Sequence, residues 1–178
     1  RLHKCSFLQS ELEHAIFHQA TLESCSLVQT IAERADFSAA TWLASAAVSE
    51  SSLIGADFSH ATLQQSNLRQ TPLQGARFAL AKIENSDLSE ADCRDASFVR
   101  ANLVGSLFVR TDFREADFTD ANLMGALLQK SQLAGANFEG ANLFRADLSQ
   151  SFTSKTTRLD GAWTKRIKTL PKRDGEVI

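Results

Sequence analysis

The stretch TDFREADFTDANL, residues Thr111 to Leu123, sets the problem. A large apolar residue returns every fifth position, at Phe113, Phe118 and Leu123. Two residues before each stands a small one, Thr111, Ala116 and Ala121, and between them Asp112, Asp117 and Asn122. A helix does not accommodate this spacing. Five residues advance about 500°, so each repeat is rotated by about 140° from the last and no apolar stripe forms. A straight strand fails as well, because side chains alternate with period two and an odd repeat changes face at every step. Within one repeat, however, Ala116 and Phe118 are two apart and point the same way in an extended segment. Both facts hold if the chain bends once per repeat. Each five-residue piece is then a short extended side, with its small residue and apolar centre facing a shared interior.

The pattern runs through most of the 178 residues. From Leu53 to Leu148 the centres keep one register, and from Phe7 to Phe37 they keep the same rule displaced by one position. A one-residue register break is therefore expected between residues 38 and 47, with Trp42 or Leu43 as the local centre and a bulge or corner loop as the outcome. Phe17, Phe37, Phe58, Phe78, Phe98, Phe118 and Phe138 then recur every twenty residues, with a single spacing of twenty-one across that break. A twenty-residue turn of four sides stacks these rings in one column at about 4.8 Å, the inter-strand spacing. This ladder is the predicted backbone of the core.

The repeats ADFTDANLMG, ANFEGANLFRADLSQ and GADFSHATL resemble the pentapeptide-repeat family, whose consensus is A(D/N)LXX. The resemblance covers roughly residues 5 to 153. It implies an all-β, right-handed quadrilateral β-helix; the hand comes from the family and not from the spacing. The expected organisation is a solenoid over residues 1–153 and a C-terminal cap or basic tail over 154–178. Thr157 and Leu159 can form one last displaced repeat, and Trp163, Ile167 and Leu170 are expected to lid the open end of the core. The chain starts at Arg1 already in register, with Leu2 a centre lacking its small partner, so a further domain is expected upstream.

Composition narrows the function. Two prolines and eight glycines argue against a disordered chain, and no run of eighteen apolar residues suggests a membrane span. No signal peptide is visible. Cys5, Cys25 and Cys93 all fall at inward positions; Cys5 and Cys25, twenty apart on one column, come within disulfide range, but the favoured reading is reduced, buried thiols, which fits a cytoplasmic protein. Residues 1–150 carry twelve basic and eighteen acidic groups, a net of −6, whereas residues 151–178 carry seven basic and three acidic, a net of +4. The recurrent Asp and Asn before each centre read as turn-bonding groups, not as paired catalytic carboxylates. His14 and His18 are four apart, an offset that suits a helix and not this backbone. No phosphate-binding glycine loop is present, and a narrow, filled solenoid offers no concave pocket. No catalytic, metal or cofactor residue is assigned, and the chain reads as a non-enzyme.

Function is then expected on the outer faces. Steps of twenty from Val104 reach Met124 and Phe144, and Leu107 stacks with Leu127 across the adjoining corner, with Val109 beside them. Large apolar residues clustered on adjacent outward columns mark a partner or self-association surface, unless the C-terminal tail folds back over it. The leading expectation is a protein-interaction or scaffold module within a larger bacterial protein. RADLSQS followed by RLDGAWTKRIKTLPKR is similar to the C-terminal repeat portions of type VI secretion accessory proteins, which implies a role in effector loading. The competing expectation is a DNA mimic, since quinolone-resistance pentapeptide proteins that bind DNA gyrase resemble this fold. Arg69, Arg77, Arg94, Arg100, Arg110 and Arg114 scattered along the rod, and the absence of a long projecting loop, depart from that type. The basic tail lacks interleaved aromatics, so nucleic acid is not the expected partner.

Overall fold

A computed structural model describes residues 1–43 and 47–168, with nothing described of the Ala47 side chain. The chain winds as a four-sided tube that returns above itself. The first coils contain short strands, β1 (Leu2–His3), β2 (Ser6–Leu8), β3 (Thr21–Glu23), β4 (Ser26–Val28), β5 (Thr41–Leu43) and β6 (Ala47–Ser49). They form two parallel three-stranded sheets, in the orders β1-β3-β5 and β2-β4-β6. Further along, each side contributes a single parallel bridge, such as Asp57↔Arg77, Arg77↔Ser97 and Ser97↔Asp117. Four faces result. The first carries the phenylalanine column, the second Leu63, Ile83, Leu103 and Leu123, the third Leu68, Leu88, Phe108 and Leu128, and the fourth Leu73, Cys93, Phe113 and Leu133. All of these centres are buried except Phe17, which is partly buried in the first coil.

The five-residue rule follows from the backbone amides. In the repeat Asp57–Ala61, Asp57 N–H donates to Ala35 in the coil before, at 3.0 Å, and Phe58 and His60 donate to Arg77 and Ala79 in the coil after, at 2.7 and 2.8 Å. Ala61 N–H closes the corner on the Phe58 carbonyl at 3.0 Å. The fifth amide, Ser59 N–H, faces outward, and the Asp57 carboxylate accepts it at 2.9 Å. The same bond recurs from Arg69 to Asn67, Ser89 to Asp87, Thr119 to Asp117 and Phe144 to Asn142. Asp or Asn before the centre thus satisfies the one donor the coil leaves free. At the corner, His60 has φ of 60°, the type II arrangement.

The interior is as close as the sequence requires. Adjacent rings of the phenylalanine column lie 4.8 to 5.1 Å apart and within 3 to 6° of parallel, the widest step, Phe37 to Phe58, spanning the break. Burial of each such ring stabilises the fold by about 1.5–3 kcal/mol. Hydroxyls at small inward positions are accommodated by donating to carbonyls. Ser86 Oγ donates to Leu63 at 2.7 Å, Ser106 to Ile83 at 2.6 Å and Thr111 to Leu88 at 2.8 Å.

Two slips shift the register. Glu23 pairs with Leu43, twenty residues on, whereas Ser26 pairs with Ala47, twenty-one on. The extra residue therefore lies between Leu43 and Ala47. Trp42 is the centre, opposite Leu22 and 2% exposed, while Leu43 is 41% exposed. The second slip is the displaced repeat expected at Thr157 and Leu159: Gln132 pairs with Phe152, but Asn137 pairs with Arg158. Beyond it the ladder continues to Asp147↔Lys168. Residues 154–168 therefore extend the tube, with Thr157 buried and Leu159 packed on the core, in place of the separate cap expected from residue 154. Ser154 builds the wider corner, taking the Thr157 N–H at 3.1 Å on its carbonyl and the Gly135 N–H at 3.2 Å on its hydroxyl.

This corrects the expectation for Trp163. One extra residue moves it from the end of the core to the outside of the second face, above Asn142, where it is 55% exposed. Ile167 takes an inward position and packs partly against the core. Leu170 lies outside the described residues.

Candidate functional site

The six residues singled out as a surface group come together around one corner. Val104, Met124 and Phe144 follow the centres Leu103, Leu123 and Leu143 on the second face, and successive coils are tied there by Gly105 N–H to Met124 O at 3.0 Å and Gly125 N–H to Phe144 O at 2.9 Å. Leu107 and Leu127 are bridged to each other on the third face. Val109 stands beyond Phe108 on that same face. Met124 and Leu107 are 39% and 37% exposed, and the other four are half-buried. The corner between the two columns is built by Gly105 and Gly125.

The structure adds a residue that the spacing alone did not place. Trp163 lies against Phe144, ring centroids 5.4 Å apart and tilted by 35°. The Arg145 guanidinium also sits over the Phe144 ring, 5.1 Å from its centroid. A second slip in register was the missing piece. Without it, Trp163 falls one position further along, at an inward centre.

Other candidate chemistry is dispersed by the same geometry. His14 sits at a corner and His18 on the first face, where its Nδ1 is 2.7 Å from Ser38 Oγ. Ser38 Oγ donates in turn to Asp36 at 2.5 Å, so its proton is committed to a carboxylate and not to the imidazole. Among the described residues, no group of three His, Cys, Asp or Glu side chains is gathered to hold a metal. Asp92 and Asp112 are each clasped by the arginine two residues on, Arg94 and Arg114, through paired bonds of 2.6 to 2.9 Å. A hollow of about 280 Å³ does exist, lined by Trp42, Leu43, Thr62, Gln64, Gln65 and Asn85 beside the first slip. Four of its six lining side chains are polar.

The Asp side chains are held ionised by their structural work. Burial opposes the charge on Asp57, Asp92 and Asp147, but hydrogen bonds outweigh it, from Ser59 and Arg77, from Arg94, and from Ser149 and Gln129. Each carboxyl is therefore lowered from its ordinary value. Burial pushes the Cys25 thiol up and the Cys93 thiol well up.

Comparison with known proteins agrees with this geometry. Pentapeptide repeats, in eight copies, match residues 51–89, 91–129 and 121–152. Among solved structures, one of QnrB1, a plasmid-mediated fluoroquinolone resistance protein, is similar with a TM-score of 0.66 and 14% identity, over 93% of this chain and 91% of that one. A second QnrB1 structure gives 0.56 and 18%, over 93% and 89%. HetL, a pentapeptide-repeat protein involved in heterocyst differentiation regulation in the cyanobacterium Nostoc, is 25% identical over 94% of this chain and 88% of its own, with a TM-score of 0.43. No curated protein sequence matches the chain. The QnrB1 likeness is one of fold, the right-handed quadrilateral β-helix.

Proposed function

The chain belongs to the pentapeptide-repeat family, and from that premise we propose that it is a non-enzymatic protein-interaction or scaffold module whose partner docks on the corner of Val104, Met124 and Phe144. A tube filled by its own side chains leaves only its outer faces for function, and fold by itself assigns none. The observation that carries the reading is the pair of apolar columns, Val104–Met124–Phe144 and Leu107–Leu127, with Trp163 joined to them. Scattered apolar residues on a surface are ordinary; a contiguous group on adjacent columns is the mark of an interface. A bacterial scaffold that loads effectors for type VI secretion is one setting for such a surface, supported only by the RADLSQS run and the tail that follows it. The three free thiols suit a reducing compartment such as the cytoplasm. Among the described residues, no helix is long and apolar enough to cross a membrane.

The test is a photo-crosslinking residue at Met124, compared with one at Val99 on the first face, in bacterial cells expressing the full-length protein. A specific adduct from position 124 alone, lost on Phe144→Glu, is the expected result. Equal labelling from both positions, or Phe144→Glu acting only by unfolding the protein, removes the interface. The gyrase-binding alternative calls for a strongly acidic rod, and a supercoiling assay decides it: inhibition or quinolone protection at low micromolar concentration would displace the scaffold reading.

A further inference from the structure

Around the same corner, charge is sorted by face. Among the described residues from 100 onward, the acids other than Asp147 lie on the fourth and first faces and the corners that follow them: Asp112, Glu115, Asp117, Asp120, Glu139 and Asp160, of which Glu115, Asp120 and Asp160 are exposed. The second and third faces hold a single acid, Asp147, which is 6% exposed and already bonded by Gln129 and Ser149. They and their corners carry instead Arg110, Lys130, Arg145, Lys165, Arg166 and Lys168, all exposed. Lys168 approaches Asp147 at 4.0 Å, and none of the other five makes an ion pair among the described residues. On the opposite side Arg114 is held by Asp112, and Arg158 by Glu139 and Asp160, so that Arg100 and Lys155 are its cations without an ion pair among the described residues. The last coils thus have an apolar, basic side and an acidic side.

Glycine at the corner is a second observation. Among the described residues, twenty-four corners of the tube take an ordinary residue at positive φ and seven take glycine; the former include Arg110, Lys130 and Arg145 at 61°, 62° and 59°. The backbone therefore does not require glycine at Gly125, and a Cβ built there meets nothing within 4 Å. Its effect is to leave bare backbone between two apolar columns, with Arg145 directly after it in the corner column. Successive coils repeat at 4.8 to 5.1 Å, as the stacked rings record. That is close to the helical pitch of about 5.4 Å, so a helix laid along the tube axis meets one coil per turn over its two or three turns of contact.

Resting on the interaction reading above, we infer that the partner element is an amphipathic helix with an apolar stripe and acidic flanks. The stripe covers Val104, Met124, Phe144 and Leu127, and the carboxylates face Arg110 and Lys130 along the third-face edge and, at the C-terminal end of the stripe, Arg145 in the corner column and Lys165 beyond Phe144. Such a helix contact takes its affinity from the apolar stripe and its choice of partner from the charges.

The experiment titrates the full chain against a labelled three-turn peptide with leucine on one face and glutamate elsewhere, read by fluorescence anisotropy. Parallel titrations use the same peptide with lysine for glutamate, phosphatidylserine vesicles and duplex DNA. The expected result is binding of the acidic peptide at least about tenfold tighter than the basic one, weakened by salt as screening requires, and lost in Gly125→Gln. That variant is expected to stay folded with a modestly lowered thermal midpoint, since a side chain at positive φ is strained there but Lys130 and Arg145 already occupy equivalent corners. Equal or tighter binding of the basic peptide overturns the acidic partner while leaving the interface itself standing. Binding of vesicles or DNA with the same dependence on Gly125 assigns the surface to a membrane or a nucleic acid and overturns it too. If no probe binds although position 124 still crosslinks a protein, the helical partner is excluded and the interface is retained.

Discussion

Asp117 accepts the backbone N–H of Thr119 at 2.9 Å, and the Thr119 hydroxyl donates to the same Oδ1 at 2.6 Å. Asn137, one coil on, donates to that oxygen as well, at 3.3 Å. One side chain thus closes its own repeat and ties it to the next. Asp117→Ala leaves the outward amide to water and is expected to cost about 1–2 kcal/mol. Asp117→Asn keeps an acceptor in place and costs less. Urea unfolding of both variants checks the order; equal losses would remove the amide from the explanation.

Phe98 stacks between Phe78 and Phe118 at 4.8 and 4.9 Å and is fully buried. Phe98→Ala opens a cavity in a column that cannot collapse without breaking two ladders, at a cost of about 3–5 kcal/mol. Phe98→Asp buries an unpaired charge and is expected to prevent folding. Circular dichroism during thermal unfolding reads both.

Acid should weaken the tube, and the sign follows from the lowered carboxyls. Asp57, Asp92 and Asp147 each lie below the ordinary value of 3.8 when folded. Their contribution is therefore fully present above 3.8 and is lost as pH falls through their depressed values, when the folded state must take up protons that the unfolded state already holds. The thermal midpoint is expected to be flat above about pH 5 and to drop below pH 4. Asp147→Asn should be less stable at neutral pH and lose less on acidification.

The thiols differ in access. Cys5 is half-buried in the first coil, Cys25 is buried one coil on, and Cys93 is wholly enclosed. A disulfide reagent added to native protein at pH 8 should label Cys5 first, Cys25 more slowly and Cys93 only on unfolding, because burial disfavours both thiolates and blocks approach. Rapid labelling of Cys93 would contradict its place as a core centre.

The two tryptophans report the two register slips. Trp42 is 2% exposed and Trp163 is 55% exposed, and the chain has no tyrosine. Iodide should quench one component of the fluorescence and spare the other, and Trp163→Ser should remove the quenchable one. The same substitution should leave stability within about 1 kcal/mol, as surface changes do. A large loss would return Trp163 to the end of the core.

The spacing of apolar and small residues, read alone, determined the tube, its twenty-residue turn, the inward ladder from Phe17 to Phe138 and the outward columns through Met124 and Leu107. Those follow because a five-residue side admits only one set of inward positions, and the set repeats. It also marked Asp117 and its equivalents as bonding locally, although the amide they serve became visible only when the other four were traced to neighbouring coils. The tertiary structure alone decided that Trp42 and not Leu43 enters the core, that residues 154–168 continue the ladder, and that Trp163 stands outside beside Phe144. The physical reason is common to all three. A single extra residue in a corner costs little locally, yet it shifts every later side chain by one position, and only the pairing of one coil with the next reveals where that residue went.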